Sequence, residues 1–300
     1  MKLTIAVVTM NRAMQLKEAL ESCLACVLPS ETEFVIIDNA SSDNTEEIVK
    51  ESFEKTNYSL YYEKLPENLG VGGGRNYAFS KATGEFFYVL DDDAVIDTSK
   101  NDRFFADALE ILENNTDIIT LTTQIYDTAW KDYRLQASER NKLQEGLYVC
   151  KMFCGGSHYL RTSFFDPQPY FNNKYGYEEI PPSLKVFDAK KLNVFACDLQ
   201  IIHKPAVNKW IFSDEKNHAL LINECSVQYA VKKMMYPTVF TPLLWLAYKK
   251  RAKKYLSNVP NGMKKSKELV RETVKKNKIN YKIKISTVAE MYRRFGLSVF

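Results

Sequence analysis

Three short runs in the first 90 residues are apolar at every position or nearly so, Leu3–Val8, Glu33–Ile37 and Phe86–Leu90, and a fourth, Tyr58–Glu63, alternates. A strand that is apolar on both faces must be covered on both sides, which is the condition of a parallel sheet between helix layers. The segments between the runs supply those helices. Residues 13–28 repeat apolar side chains at helical spacing (Leu16, Ala19, Leu20, Cys23, Leu24, Val27). Residues 43–53 read as a helix, with Ser41 or Ser42 as cap and Glu46-Glu47 in the first turn. Residues 72–82 and 104–112 read as two more, and Ile118–Thr123 as a further strand. The N-terminus, a lysine followed by an apolar run, has no small-residue cleavage site and reads as the first strand rather than a leader.

In sheets of this kind ligands bind beyond the carboxyl ends of the strands. The polar residues that follow the runs are Thr9-Met10-Asn11-Arg12, Asp38-Asn39-Ala40-Ser41-Ser42-Asp43 and Asp91-Asp92-Asp93. Adjacent carboxylates repel, and a divalent cation removes that cost; hard oxygen ligands suit Mn²⁺ or Mg²⁺. Alternation in a regular strand would send Asp91 and Asp93 to opposite sides, unless the chain turns there. Asp38 can accept from the N–H of a pyrimidine base. The segment Asn68-Leu69-Gly70-Val71-Gly72-Gly73-Gly74-Arg75-Asn76 has neither the dinucleotide fingerprint nor a P-loop ending. It suits either a structural turn or a helix start close to phosphates, with Arg75 adding charge. Glu178 and Glu179 open a predicted helix over 178–190, where acidic residues serve equally as dipole partners or as a base. His203 ends a strand-like run over 194–203 and can complete a metal site begun by carboxylates. Residues 125–175 read as irregular, and the chain from Asp214 onward as mostly helical.

Taken together these residues resemble family 2 glycosyltransferases of the GT-A fold. The resemblance rests on Val7–Arg12, Ile36–Thr45, Asn68–Gly70 with Arg75-Asn76, Leu90–Ala94, Gly176–Glu179 and Ile202–Pro205, in that order along about 205 residues. It implies an α/β fold with a mostly parallel central sheet flanked by helices and a helical C-terminal extension. The expected division is a catalytic domain over 1–210, with a nucleotide-sugar half to about 125 and an acceptor half from 126, followed by a basic extension over 211–300. It implies that Thr9, Asn11, Arg12, Asp38, Asn68, Arg75, Asp91 and Asp92 bind the donor, with Asp91 at the ribose. Asp93 and His203 would bind Mn²⁺ or Mg²⁺ at the diphosphate, and Glu179 would be the base, with Glu178 as helper or alternative. The implied reaction is inverting transfer from a nucleotide-diphosphate sugar, UDP favoured, to a hydroxyl of a glycan or lipid-linked acceptor in cell-surface polysaccharide synthesis. A nucleotidyltransferase, the chief rival, would carry a glycine-rich, lysine-bearing loop after the first strand, where this chain has Thr-Met-Asn-Arg.

Charge is divided unevenly. Residues 249–300 hold 16 Lys/Arg and 3 Asp/Glu, whereas residues 1–248 are net acidic. A basic tail beside the apolar stretch 237–248 suggests peripheral contact with an anionic membrane through 237–254. No run of apolar residues is long enough to span a bilayer, and no nucleic-acid module is present, so the expected location is the cytoplasm, at the inner membrane face. Cys23-x-x-Cys26 lies on a helical segment without a second pair of zinc-ribbon spacing, and reduced thiols are expected.

Overall fold

A computed structural model describes residues 1–205, 215–277 and 279–300. In chain order the sheet and its helices are β1 (Leu3–Thr9), α1 (Ala13–Leu24), β2 (Thr32–Asp38), α2 (Thr45–Phe53), β3 (Ser59–Lys64), α3 (Gly70–Lys81), β4 (Phe86–Asp91), β5 (Ala94–Ile96) and α4 (Phe104–Asn114). They continue as β6 (Ile118–Asp127), β7 (Asp132–Tyr133), β8 (Lys142–Gln144), β9 (Leu147–Val149), β10 (Ser157–Arg161), α5 (Ile180–Asp188) and β11 (Leu192–His203). Four helices follow: α6 (His218–Met235), α7 (Thr241–Leu256), α8 (Gly262–Lys276) and α9 (Ile285–Phe295).

The strands form one sheet in the order β3-β2-β1-β4-β10-β6-β11-β9-β8, with β5 beside β11 and β7 beside β6. Strands β3, β2, β1 and β4 are parallel, as the continuous apolar runs of β1, β2 and β4 require. Register matters for function. Thr9 stands opposite Asp38, and Val8 opposite Asp91, so three of the expected polar ends meet at one edge. On the other half, parallel pairing of β6 with β11 sets His203 opposite Asp127, while antiparallel β5 sets Ala94 opposite His203. The β4–β5 corner thereby reaches the end of β11.

Residues 125–175 are more ordered than the sequence predicts. Strand β10 lies in mid-sheet, antiparallel between β4 and β6. Its pattern is concealed by Ser157 and His158, which are buried but satisfied: Ser157 by Tyr88 and Thr123, His158 by Tyr170. Helix α2 begins at Thr45, with Asn44 rather than Ser41 or Ser42 before it; Ser41 instead accepts the Asn11 amide through Oγ at 2.9 Å. Helix α1 stops at Leu24, because the chain beyond it bonds elsewhere, Val27 N–H reaching Asp102 O at 2.9 Å.

Helix α3 starts at Gly70, two residues before the expected position. The glycines are inside it and buried. A Cβ on Gly72 would lie 2.0 Å from the Phe171 carbonyl oxygen, so glycine here allows the 171–174 segment to press on the helix. Pro181 and Pro182 occupy the first turn of α5, as expected.

Two apolar clusters cover the sheet, and a third unites α5 with the C-terminal helices. Asp188 at the end of α5 reinforces that union by accepting from the Lys284 amide at 2.7 Å and the Thr287 hydroxyl at 2.6 Å. The expected domain boundary at 210/211, and Asp214 as the start of the helical part, lie outside the described residues. Among the described residues no helix is long and apolar enough to cross a membrane.

Candidate active site

Strand β4 ends at Asp91, and Asp92-Asp93 form a turn before β5. The turn cancels strand alternation, so Asp91 and Asp93 face the same side. With His203 they present three ligand atoms that all lie within 4.8 Å of one another. Asp92 turns inward, is 6% exposed, and accepts from the Thr9 hydroxyl and the Arg12 guanidinium, each at 2.8 Å. Burial pushes its carboxyl up to about 6 against the opposing pull of Arg12. Arg12 Nη1 also reaches Asp93 at 2.9 Å.

His203 is clamped between two carboxylates, Nε2 to Asp93 at 3.2 Å and Nδ1 to Asp127 at 3.1 Å. Asp127 in turn accepts two bonds from Arg134, at 2.9 and 2.6 Å, and Arg134 Nη2 lies 2.8 Å from His203 Nδ1. The imidazole is thus fixed in place between Asp93 on one side and the Asp127–Arg134 pair on the other. Two carboxylates and an imidazole form a donor set that fits Mn²⁺ or Mg²⁺.

Arg75 joins this corner to the second acidic pair. It is 3% exposed, with Nη2 2.6 Å from Asp91 and Nη1 2.5 Å from Glu178 Oε1. Gly155 leaves room for the pairing: a Cβ there would lie 3.1 Å from Arg75 Nη1 and 3.3 Å from Glu178 Oε1. Burial places Arg75 as a brace between two carboxylates rather than as a free charge. Glu178 Oε2 is buried and has no hydrogen-bond partner among the described residues. Glu179 occupies the N-cap position of α5, so Glu178 and Glu179 precede the helix rather than open it. Burial, with the Glu178 carboxylate adding to it, holds the Glu179 carboxyl well above the usual range.

Three expected donor residues are engaged with the protein itself. Asp38 accepts the Ser41 amide at 2.7 Å and the Tyr62 hydroxyl at 3.0 Å. Asn11, at φ 53°, accepts the Ser42 amide at 2.7 Å. Asn68 accepts the Gly70 amide at 2.7 Å, at the start of α3. Their side chains shape the loops that border the corner.

Residues 4–167 match the family model described as Glycosyl transferase family 2. The chain belongs to that family. Among similar proteins, an uncharacterized glycosyltransferase of Methanocaldococcus jannaschii is 30% identical over 111 residues, 37% of each chain. The poly(ribitol-phosphate) β-N-acetylglucosaminyltransferase TarS of Staphylococcus aureus is 33% identical over 125 residues, 40% of this chain and 21% of TarS. The matched stretches thus span well under two thirds of these relatives. The solved structure of TarS 1–349 in complex with UDP-GlcNAc superposes with a TM-score of 0.62 at 16% identity, covering 100% of this chain and 89% of that one. A mannosyltransferase from Pyrobaculum calidifontis in complex with GDP-Man and Mn²⁺ gives 0.60 at 17% identity, with 100% and 81% coverage. The fold is GT-A.

Sequence reading of the glycosyltransferase overlooks Asp127, Arg134 and Gly155. Asp127 was within reach of the strand-end rule, since β6 ends on that acidic residue. The strand runs four residues past its expected end at Thr123, because Thr122, Thr123 and Gln124 are polar yet buried.

Proposed function

We propose that this enzyme transfers a sugar, with inversion, from a nucleotide-diphosphate sugar to a hydroxyl of a glycan or lipid-linked acceptor in cell-surface polysaccharide synthesis. UDP is the favoured nucleotide. The observation that carries the reading is the pairing of a three-ligand corner (Asp91, Asp93, His203) with a carboxylate of raised basicity at Glu179, through the Arg75–Glu178 brace. UDP-GlcNAc in TarS and GDP-Man with Mn²⁺ in the Pyrobaculum enzyme, both of the same fold, support a nucleotide-sugar donor and a divalent cation.

In this reading Asp93 and His203 would hold Mn²⁺ or Mg²⁺, and Asp91 would contact the ribose. When bound, the cation offsets the charge gathering on the departing diphosphate. Thr9, Asn11, Arg12, Asp38, Asn68 and Asp92 line the donor side, and Arg75 fixes the relative positions of Asp91 and Glu178. Glu179 takes the proton of the acceptor hydroxyl as that oxygen attacks the anomeric carbon from the face opposite the leaving group. Glu178 keeps a second negative charge beside Glu179 and so raises its proton affinity. Residues 1–210 form the catalytic part, divided near 125 between donor and acceptor functions.

Val239, Leu243 and Leu246 are 66, 41 and 65% exposed and precede Lys249, Lys250, Lys253 and Lys254. This supports peripheral contact with an anionic bilayer through 237–254, at the cytoplasmic face. A screen of UDP-, GDP- and dTDP-sugars with Mn²⁺, scored by nucleotide release, tests the central reading. Absence of release with every donor, or release that survives Asp93→Ala at the wild-type rate, would overturn it.

A further inference from the structure

A cavity of about 400 Å³ lies between α5 and the C-terminal helices, away from the acidic corner. Five cations line it: Lys151, Lys232, Lys250, Arg251 and Lys254, with no aspartate or glutamate among the lining residues. None of the five makes an ion pair with a described aspartate or glutamate side chain. Lys232 Nζ donates to the Val299 carbonyl at 3.1 Å and to the main-chain oxygen of Phe300, the last residue, at 2.9 Å, and Lys151 Nζ to the Ser298 carbonyl at 3.1 Å. Arg251 donates to the Tyr177 hydroxyl at 2.7 Å. Burial, then Lys151 and Arg251, pushes the Lys232 ammonium down to about 7. Like charges gathered around a recess repel, and an anion seated among them removes the repulsion.

The remaining wall is apolar and includes Leu184, Leu244, Tyr248 and Met291, with Leu297, 70% exposed, also lining the cavity. A flat membrane-binding patch would display its lysines outward; here Lys232 is recessed in a concavity of ligand size. The cavity also touches the catalytic machinery. Ile180, Ser183 and Leu184 of α5 line it, and Ile180 directly follows Glu179. Arg251 holds Tyr177, two residues before Glu179, at φ 65°.

We propose that this cavity is the seat of the phosphate or diphosphate group of a lipid-linked acceptor, with the first stretch of its hydrocarbon along the apolar wall. The proposal rests on the lipid-linked alternative of the function above and specifies where that acceptor is gripped. Phosphate oxygens would accept from Lys232, Arg251 and the rim lysines, placing the acceptor on the α5 side of Glu179.

The test is calorimetric titration of the full chain with farnesyl diphosphate, inorganic pyrophosphate and farnesol, below the micellar range of the lipids. Wild type should bind farnesyl diphosphate at least about tenfold tighter than either other probe. Lys232→Met, and the paired exposed changes Lys250→Gln and Lys254→Gln, should each weaken it by about tenfold or more. UDP binding with Mn²⁺ should be unchanged in all of them. Failure of farnesyl diphosphate to bind, or undiminished binding by the Lys250/Lys254 pair, overturns the proposal. Pyrophosphate bound as tightly means a free-phosphate site, and farnesol bound as tightly means a merely apolar pocket; either overturns it. So does retention on anionic vesicles without binding of the soluble probe. If farnesyl diphosphate binds but none of UDP, GDP and dTDP does, it is the nucleotide-sugar reading that fails.

Discussion

Glu179 is where the proposed chemistry is most exposed to test. A general base must be ionised to act, and its carboxyl is held above the usual range by burial and by Glu178. Turnover in kcat/KM should therefore rise with pH through a value above that of an ordinary glutamate, and fall as the group takes up its proton. Glu179→Gln should lower transfer roughly 10²–10⁴-fold while leaving Mn²⁺-dependent UDP binding in place. Retained transfer moves the base to Glu178 or elsewhere. Arg75 answers to a different measurement. Arg75→Met leaves Asp91 and Glu178 as partly or fully buried charges without their partner. A loss of about 3–5 kcal/mol in urea unfolding is expected, with Arg75→Lys recovering part of it. An unchanged midpoint would mean that the brace contributes nothing to stability.

Helix α3 shows how two effects of opposite sign compete in one element. Replacing a helical glycine by alanine ordinarily stabilises by up to about 1 kcal/mol. At Gly72 the new methyl would meet the Phe171 carbonyl oxygen at 2.0 Å, a backbone atom that cannot swing aside. Overpacking should win, and Gly72→Ala should destabilise by roughly 1–3 kcal/mol in the same unfolding assay. A gain in stability would show that the 171–174 segment yields. The glycine run also illustrates what a linear pattern leaves open. It marks close approach, but to a neighbouring loop as readily as to a phosphate. Strand β10 was illegible for a related reason: its serine and histidine look like loop residues until Tyr88, Thr123 and Tyr170 stand beside them.

For the molecule as a whole, the corner of Asp91, Asp93 and His203 draws on β4, its turn and β11, so a cation there links the two halves of the sheet. Binding only to the folded state should stabilise by about 2.7 kcal/mol at a hundredfold excess over Kd. Mn²⁺ should thus raise the melting temperature by several degrees, and chelation should reverse the shift. Asp93→Asn should lose that response while folding normally without metal. An equal shift in the variant would place the metal elsewhere.

Sequence alone determined the parallel half of the sheet, because a run apolar on both faces has one way to be buried. It also singled out the strand ends as the polar edge, since a carboxylate directly after such a run has few purely structural uses. Tertiary structure decided the rest. Only the β4–β5 turn could bring Asp91 and Asp93 to one side, and only the β6–β11 register could set Asp127 behind His203. Arg75 reads as a free charge in one dimension and is a buried brace in three, because its partners lie 16 and 103 residues away. Contacts at such separations depend on how the elements pack, and no local spacing encodes them.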